Sequence, residues 1–362
     1  MNHRERFVRT LTGKGVDRVP FIKIFGGTNA MLSHWEADEP GLSQNIDKIL
    51  RFEGVYRGWG TTPVNFWQTQ RGEPKVVEEN ESRIVRRFDD GTVEILRKGG
   101  DYHRQMVEWP VKSLKDWKRF KERYLQPDDP ERFPKDWPNL VKEYRDRDYP
   151  LQLTHGGVYG FARNIMGDEQ LLYAFYDCPE LVHDLMDSYT DMTLAIWSRM
   201  VREVDFDLIE FWEDMASKNG CLISPDTFRE FMTPNYRRVA DFAKEHGVEV
   251  ILVDSDGYID DLAEVMMESG VTAMYPFEVG AGCDVVKVRR RYPSLGMISG
   301  LAKECMIYGK EAIDKEMEKA RRYIKLGRFI PGPDHFVLSN VSWANYRYFM
   351  EQLRGVVMTT QP

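Results

Sequence analysis

Two aspartates, Asp254 and Asp256, follow the apolar run VILV in the segment VILVDSDG, residues 250–257. On a strand, residues two apart point to the same side, so both carboxylates can enter one space at the strand end. Two carboxylates placed in this way either bind a cation or share a proton. The structural alternative is that one caps the next helix and the other hydrogen-bonds a loop.

A second acidic pair, Glu213 and Asp214, follows an apolar run that includes Ile209 and Phe211. Neighbouring residues on a strand face opposite ways, so at most one of the pair should enter the site unless the chain has already turned. Odd numbering places Glu213 on the face of Ile209 and Phe211, and we predict that this face points inward. The structural alternative is a local ion pair with Lys218.

Histidine supplies a different type of ligand near the end of the chain. His335 follows a Pro-Gly-Pro-Asp turn, and His155 in LTHGGVYGF gives a less specific signal. A lone histidine is more often structural than functional. Beside carboxylates such as Glu278, however, neutral imidazole completes an ordinary zinc or iron ligand set.

Six short apolar runs position these polar residues. They are PLQLTH, FDLIEFWED, VEVILVDSD, TAMYPFE, LGMISGLAK and RFIPGPDH, and each reads as a strand that ends on a polar residue. Helical patterns separate most of them, which predicts a parallel α/β array. The carboxyl ends of strands in a (β/α)8 TIM barrel are where active sites are built, so the chain is predicted to be an enzyme.

The first half of the chain departs from a simple repeat. Residues 16–27, VDRVPFIKIFGG, are a candidate first barrel strand, and an Asp-Gly turn inside residues 83–98 predicts a β-hairpin. We therefore expect one (β/α)8 barrel domain over residues 1–362, with elaborations over about residues 28–148.

Composition narrows the function class. The formal net charge is −8 and basic residues are dispersed, which gives no basic footprint for nucleic acid. No signal-peptide or membrane-span run is present, and the four cysteines form no CxxC pair. These patterns favour a cytoplasmic protein with free thiols and without a nucleic-acid or membrane partner.

With these segments in place, the chain resembles the uroporphyrinogen decarboxylase superfamily over almost its whole length. The resemblance rests on RERFVRTLTGKGVDRVPF, on FWEDMASKNGCLISPDTFREFMTPNYRRV, and on VILVDSDG, YPFEVGAGCDV and GPDHFVLSNVSWANYRYFMEQLR in that order. It implies a (β/α)8 barrel that hosts either cofactor-free tetrapyrrole decarboxylation or corrinoid methyl transfer with bound zinc. Fold alone does not choose between these chemistries.

Departures from the family pattern narrow the choice. The decarboxylases have an arginine-rich RQAGRY-type segment where this chain reads FGGTNAMLSHWEADEP, which lacks arginine. The thiol-methylating zinc branch has His-x-Cys-Gly where this chain has residues 254–257, Asp-Ser-Asp-Gly, and a late Cys near the position of His335. Both soft sulfur ligands are thus replaced by oxygen or nitrogen, which still suits zinc.

The WEDM segment and the hairpin insert resemble corrinoid-dependent O-demethylases. This resemblance implies a methyltransferase that moves a methyl group from a methoxylated aromatic compound to the cobalt of a separate corrinoid protein. The alternatives are a uroporphyrinogen decarboxylase-like decarboxylase, a corrinoid-to-carrier methyltransferase, and a silent protein that docks a corrinoid partner. Families of this kind are often homodimers, so a homodimer is also expected.

The resulting site prediction has three parts. A metal, expected to be zinc, is held or surrounded by Asp254, Asp256, Glu278 and His335. The catalytic groups are Glu213, Asp214 and Asp256, with Glu213 orienting substrate or acting as the acid. Substrate is bound by Phe66, Trp67, His155, Tyr159 and Trp212, whose aromatic members are candidates for stacking on a planar ring, with core packing as their alternative.

Overall fold

The computed structural model describes residues 1–26, 29–98 and 104–362, with the side chains of residues 29–30 left out. The first part of the chain contains helices α1 (His3–Thr12), α2 (Asn29–Asp38) and α3 (Leu42–Leu50), strands β1 (Lys75–Glu79), β2 (Arg83–Arg87), β3 (Val93–Arg97) and β4 (Arg104–Glu108), helix α4 (Leu114–Tyr124), a 3-10 turn (Pro130–Arg132) and helix α5 (Trp137–Arg145).

The second part alternates strands with helices. It contains β5 (Gln152–His155), α6 (Val158–Met166), α7 (Asp168–Asp177), α8 (Pro179–Met200), β6 (Leu208–Trp212), β7 (Ala216–Ser217), β8 (Gly220–Cys221), α9 (Pro225–Thr227), a π-helical turn (Phe228–Met232), α10 (Thr233–Glu245), β9 (Val250–Asp254), α11 (Ala263–Glu268), β10 (Ala273–Tyr275), a 3-10 turn (Val279–Ala281), α12 (Val285–Arg291), β11 (Gly296–Ile298), α13 (Cys305–Tyr308), α14 (Lys310–Ile324), β12 (Phe329–Ile330) and α15 (Trp343–Thr359). In the described part of the chain, no helix combines the length and apolarity needed to cross a bilayer.

All six predicted strands join one parallel sheet in the order β12-β11-β10-β9-β6-β5. A parallel bridge between Gly60 and Leu151 extends the pairing beyond β5. The parallel α/β architecture is therefore confirmed. The closed eight-stranded barrel stays a prediction, because the ladder within the described residues comprises these six strands and the bridge.

The segment expected to be the first barrel strand is not assigned as a strand in its described residues, 16–26. Its apolar side chains are nevertheless buried: Ile22, Ile24 and Phe25 belong to a core cluster that also holds Leu252 and Tyr275. The hydrophobic pattern thus predicted the burial of the segment correctly, whereas its backbone does not pair as a strand.

Side chains alternate between the two faces of the sheet. Those on one face, such as Leu208 and Val250, form a small inner core with Phe7 and Leu11 of α1. Those on the other face belong to the large core that contains most helices. Arg328, just before β12, donates a hydrogen bond to the carbonyl of Leu11. Helix α1 therefore covers the amino ends of the strands, and polar residues collect at the carboxyl ends.

The predicted hairpin is confirmed: β2 and β3 pair antiparallel from Arg83 with Arg97 to Arg87 with Val93. Gly91 in the turn has a φ of 97°, a left-handed conformation that glycine adopts without steric cost. Strands β1 and β4 extend the hairpin to a four-stranded antiparallel sheet. We call this element the insert sheet.

Candidate active site

The alternation along β6 decides which acidic residues enter the interior. Glu210 is on the inner face, where the hydroxyl of Tyr275 donates to its carboxylate. Phe211 is on the opposite face and stacks on Tyr236 with ring centroids 4.4 Å apart. Glu213 shares the parity of Phe211 and is fully buried toward the helices. The prediction that Glu213 faces inward is therefore wrong, because the odd positions of this strand face outward.

Glu213 fixes the start of α6 to the end of β6. Its carboxylate accepts hydrogen bonds from the backbone amides of Val158 and Gly160, each at 2.8 Å, and from the hydroxyl of Tyr236 at 2.6 Å. Burial raises the pKa of Glu213 to about 7, although the three donors favour the charged form. A Cβ atom on Gly160 would lie 1.9 Å from the carbonyl oxygen of Trp212, so glycine permits this close approach.

Asp214 enters the site because the chain turns immediately after Glu213. Its φ is 47°, a left-handed conformation that is uncommon outside glycine. One carboxylate oxygen accepts the backbone amide of Asp256 at 3.3 Å, and the other accepts the guanidinium of Arg163 at 2.5 Å. Asp214 thus connects the end of β6 with the loop that follows β9.

Two groups of potential metal ligands share one residue. Asp256, Glu278 and His335 form the first, and Asp214, Asp254 and Asp256 form the second. Within each group the ligand atoms all lie within 4.8 Å of one another. The structure therefore brings three of the four predicted metal ligands into one group, and it places the fourth, Asp254, in the other group, with Asp256 common to both.

The first group is held by interactions between loops. The backbone amide of Gly257 donates to Glu278 at 2.9 Å. Asp334, fully buried, accepts the amides of Val279 at 2.9 Å and Lys303 at 3.0 Å. The ammonium of Lys303 lies 3.6 Å from Asp334 and 3.9 Å from Glu278. These bonds position Glu278, and a solvent-facing cavity of about 380 Å³ opens beside it.

His335 is oriented from two sides. Its Nε2 lies 3.1 Å from Oδ1 of Asp256, and its ring stacks on Phe25 with centroids 5.0 Å apart. Burial opposes a positive charge on the imidazole, but the hydrogen bond and charge of Asp256 prevail and raise the pKa of His335. The side chain of Asp256 is 42 % exposed and that of His335 is 25 % exposed, so the pair is accessible to a ligand.

The second group adjoins an inner polar network that sequence reasoning missed. Nη1 of Arg57 donates to Asp254 at 3.1 Å and to the hydroxyl of Tyr275 at 2.7 Å. The same hydroxyl lies 2.9 Å from Asp254 and also contacts Glu210. One hydroxyl proton cannot serve both carboxylates, so the cluster favours an additional proton on one of them. Burial and the charge of Glu210 raise the pKa of Asp254 accordingly.

Three of the predicted substrate-binding side chains are buried in the interior of the protein. Phe66, Tyr159 and His155 are buried in the core, with exposures of 2 %, 0 % and 0 %. His155 contacts the rings of Tyr189 and Phe211, and neither ring nitrogen has a hydrogen-bond partner among the described residues. The prediction that these three residues bind substrate is therefore corrected. The alternation of side chains along β5 directs His155 toward the helices. Phe66 and Tyr159 pack in the core, which was the alternative for the aromatic residues.

Trp67 and Trp212 remain as candidates for contact with a ligand. Both line a cleft of about 290 Å³ between the insert sheet and the end of β6. Their rings meet edge to face, with centroids 6.1 Å apart. The guanidinium of Arg163 lies 5.2 Å from the Trp212 ring and also pairs with Asp214, which links this cleft to the second acidic group.

Three cationic side chains that contact the acidic groups of the site are each paired. Arg57 pairs with Asp254, Arg163 with Asp214, and Lys303 with Asp334. The carboxylates of Asp256 and Glu278 are additional, so acidic groups outnumber basic ones. A site of this charge suits a cation better than a substrate with many carboxylates.

Comparisons with known proteins identify a family and a shared fold. The model of the family "Uroporphyrinogen decarboxylase (URO-D)" matches residues 103–356. A methyltransferase from Methanosarcina mazei shares the fold, with a TM-score of 0.61 and 15 % sequence identity over 98 % of this chain and 99 % of that chain. A structure described as a vitamin-B12 independent methionine synthase from Listeria monocytogenes has a TM-score of 0.34 and 12 % identity over 60 % of this chain and 69 % of that one, too little similarity to support an argument. Among curated proteins there is no match.

Proposed function

The chain belongs to the uroporphyrinogen decarboxylase family, and from this premise we propose that it is the methyltransferase component of an O-demethylase. In the proposed reaction the bond between the methyl carbon and the oxygen of a methoxylated aromatic compound breaks. The methyl group passes to the reduced cobalt of a separate corrinoid protein, and the aromatic compound leaves as a phenol. The similarity in fold to a methyltransferase supports this reading at the level of architecture.

The observation that carries the proposal is the first ligand group. Asp256, Glu278 and His335 offer two carboxylates and one imidazole within 4.8 Å of one another at the carboxyl ends of parallel strands. Imidazole nitrogen and carboxylate oxygens are ordinary zinc ligands in proteins, so the types of these donor atoms fit a zinc ion. Two oxygens and one nitrogen make a hard donor set that fits an ether oxygen better than a thiolate.

Asp256, Glu278 and His335 would hold a zinc ion, which would supply Lewis acidity toward the ether oxygen. This help matters because a phenolate, with a free phenol pKa of about 10, is a poor leaving group unless it is protonated or bound to a cation. The position of Glu278 depends on Gly257 and on the loop held by Asp334. These contacts keep the ligands in place beside the adjoining cavity.

The protein also has a proton source beside the ligand group. Asp254 shares the second group with Asp256 and is fixed by Arg57 and Tyr275. Because burial raises its pKa, Asp254 retains a proton more readily than an exposed aspartate does. We assign to Asp254 the role of proton donor to the departing oxygen. That role was expected of Glu213, which instead positions α6.

Decarboxylation of a tetrapyrrole fits the site less well. Such a substrate has several carboxylates and needs several free cationic side chains, whereas Arg57, Arg163 and Lys303, which contact the acidic groups of the site, are each paired. A thiol carrier as methyl acceptor is also disfavoured, because the described residues of both ligand groups include no cysteine.

The experiment that tests the proposed function is a reconstitution. The protein is mixed with a corrinoid protein in its reduced cobalt state and with a panel of methoxylated aromatics, and methyl-cobalt absorbance is followed. At least one methyl ether should produce the methyl-cobalt spectrum and an equivalent amount of phenol. Production of carbon dioxide from a carboxylated tetrapyrrole, without methyl transfer from any ether, would support the decarboxylase instead.

A further inference from the structure

The cleft between the insert sheet and β6 has residues of two chemical types. Its lining includes Trp67, Arg71, Glu94, Arg104 and Trp212. Tryptophan forms the side toward the parallel sheet, and charged residues lie on or next to the insert sheet. The proposed reaction does not by itself explain why arginines line this cleft.

The charged side of the cleft has an excess of guanidinium groups. Glu94 is buried and is shared by Arg86 and Arg104, the latter with its Nε 3.5 Å from the carboxylate. Arg71 pairs with the buried carboxylate of Asp90, with its Nε 2.7 Å from Oδ2. Three guanidinium groups thus meet two carboxylates, which leaves one positive charge for a ligand.

Arg71 has capacity to bind an anion. Its guanidinium lies 3.6 Å from the centroid of the Phe88 ring, and its Nε has no hydrogen-bond partner among the described residues. Burial lowers its pKa below the ordinary value, although Asp90 and Glu94 oppose this effect. A carboxylate in the cleft would satisfy the planar fork of Arg71 with two parallel hydrogen bonds.

The opposite side of the cleft suits a planar ring. Trp67 packs against Phe161 at 5.8 Å and meets Trp212 edge to face, so its indole is held firmly. Trp212 is 39 % exposed despite its size. Aromatic rings favour stacked or edge-to-face contacts with such side chains. Arg163, which lies over Trp212 and pairs with Asp214, marks the side of the cleft nearest the acidic groups.

We propose that this cleft binds a planar aromatic ligand with an anionic substituent, the anion against Arg71 and Arg104 and the ring against Trp67 and Trp212. This inference rests on the proposed function for one point only, that the ligand also has a methoxy group. It adds that the substrate class is the methoxylated aromatic acids, bound with the acid group away from Asp214.

The test is equilibrium binding measured by isothermal titration calorimetry without corrinoid protein. The probes are 4-methoxybenzoate and the neutral 4-methoxybenzyl alcohol. We expect the wild-type protein to bind the acid at least about tenfold more tightly, because a charge-assisted bidentate contact is worth more than a neutral one. Arg71→Gln should abolish this preference while the affinity for the alcohol stays unchanged.

Further variants separate the inference from misfolding and from failure of the proposed function. Arg104→Gln removes a largely exposed arginine and should reduce the same preference even if Arg71→Gln misfolds, and Arg83→Gln on β2, outside the cleft, is the matched control. Trp212→Ala should weaken both probes. Equal affinity of the wild-type protein for acid and alcohol, or an unchanged preference in Arg71→Gln and Arg104→Gln, would overturn the inference. If methyl groups are transferred only from neutral ethers, the inference about the cleft is overturned and the proposed function stands. If the acid binds selectively but no ether donates a methyl group, the proposed function is contradicted and the inference about the cleft stands.

Discussion

Arg57 and Asp254 are 197 positions apart in the chain, and their side chains meet at 3.1 Å inside the parallel sheet. The contact brings a guanidinium to the base of the acidic site, where Tyr275 and Glu210 complete a network. It keeps Asp254 in one orientation beside Asp256. The carboxylate proposed as proton donor is therefore held by a residue far from it in sequence.

Removal of Arg57 should destabilise the protein more than removal of an exposed arginine. Arg57→Met leaves buried carboxylates without their counter-charge, which costs on the order of 3 kcal/mol in the free energy of unfolding. Loss of the guanidinium further raises the pKa of Asp254 in the folded protein, so the deficit should shrink as the pH falls and Asp254 takes up a proton. Urea unfolding at several pH values measures the loss in the free energy of unfolding and its change with pH.

The control is Arg83→Met, which removes an exposed ion pair with Glu78 worth less than about 1 kcal/mol. Equal losses in the two variants would show that the Arg57 network has no special role.

Glu213→Gln distinguishes positioning from direct catalysis. The Glu213 carboxylate accepts three hydrogen bonds, whereas the NH₂ group of a glutamine side chain can only donate. One of the three donors would therefore face another donor, so we expect a loss of about 1–3 kcal/mol in the free energy of unfolding. The exposed Glu230→Gln is the matched control. If Glu213 acted only on substrate, the variant would lose turnover and unfold with the same free energy as the wild type.

The buried His155 should make the protein sensitive to acid. Burial lowers the pKa of His155 to about 3 from an ordinary value of 6.5. Between these values the unfolded chain binds a proton that the folded chain does not, so this contribution to stability is complete above pH 6.5 and is lost as the pH falls. His155→Phe removes the effect, and its stability relative to the wild type should improve by about 2 kcal/mol between pH 7 and pH 5.

Urea unfolding at the two pH values measures this difference. The same substitution at His246, an exposed residue after α10, is the control. A constant difference between His155→Phe and the wild type at both pH values would contradict the assignment of His155 as a buried neutral side chain. Because both its nitrogens lack partners among the described residues, phenylalanine should also be tolerated at neutral pH.

Metal content tests the ligand assignment independently of turnover. Protein reconstituted with zinc should hold about one ion per chain by elemental analysis. Loss of a residue that only hydrogen-bonds to a metal ligand typically weakens metal binding by about 10- to 100-fold. Asp256→Ala and His335→Ala each remove a ligand, so each should weaken zinc binding by more than this. His246→Ala is the control for removal of a histidine. No stoichiometric metal in the wild type, or full occupancy in the double variant, would count against the ligand group.

Much of the fold could be predicted because hydrophobic periodicity is local. The six parallel strands and the Asp-Gly hairpin follow from runs of apolar residues and a turn signal. Residues 16–26 show the limit of this reasoning, since an apolar segment can be buried without forming a strand. The family resemblance was found from the order of segments and is confirmed.

The site was predicted only in part because strand parity and long-range contacts are not visible in sequence. Asp254, Asp256, Glu278 and His335 could be identified because they follow strands whose carboxyl ends meet. The predicted orientation of Glu213 was wrong because the apolar run of β6 is consistent with either the odd-numbered or the even-numbered residues facing inward. Arg57 carries no strand-end signal, and only folding brings it to Asp254.

The most direct test of the central claim is the rate of methyl-cobalt formation when the protein, a reduced corrinoid protein and an active methoxylated aromatic are mixed. The account predicts rapid formation with the wild-type protein and a loss of at least about 100-fold with Asp256→Ala, because the residue shared by both ligand groups is removed. A rate in Asp256→Ala equal to that of the wild type would contradict the account.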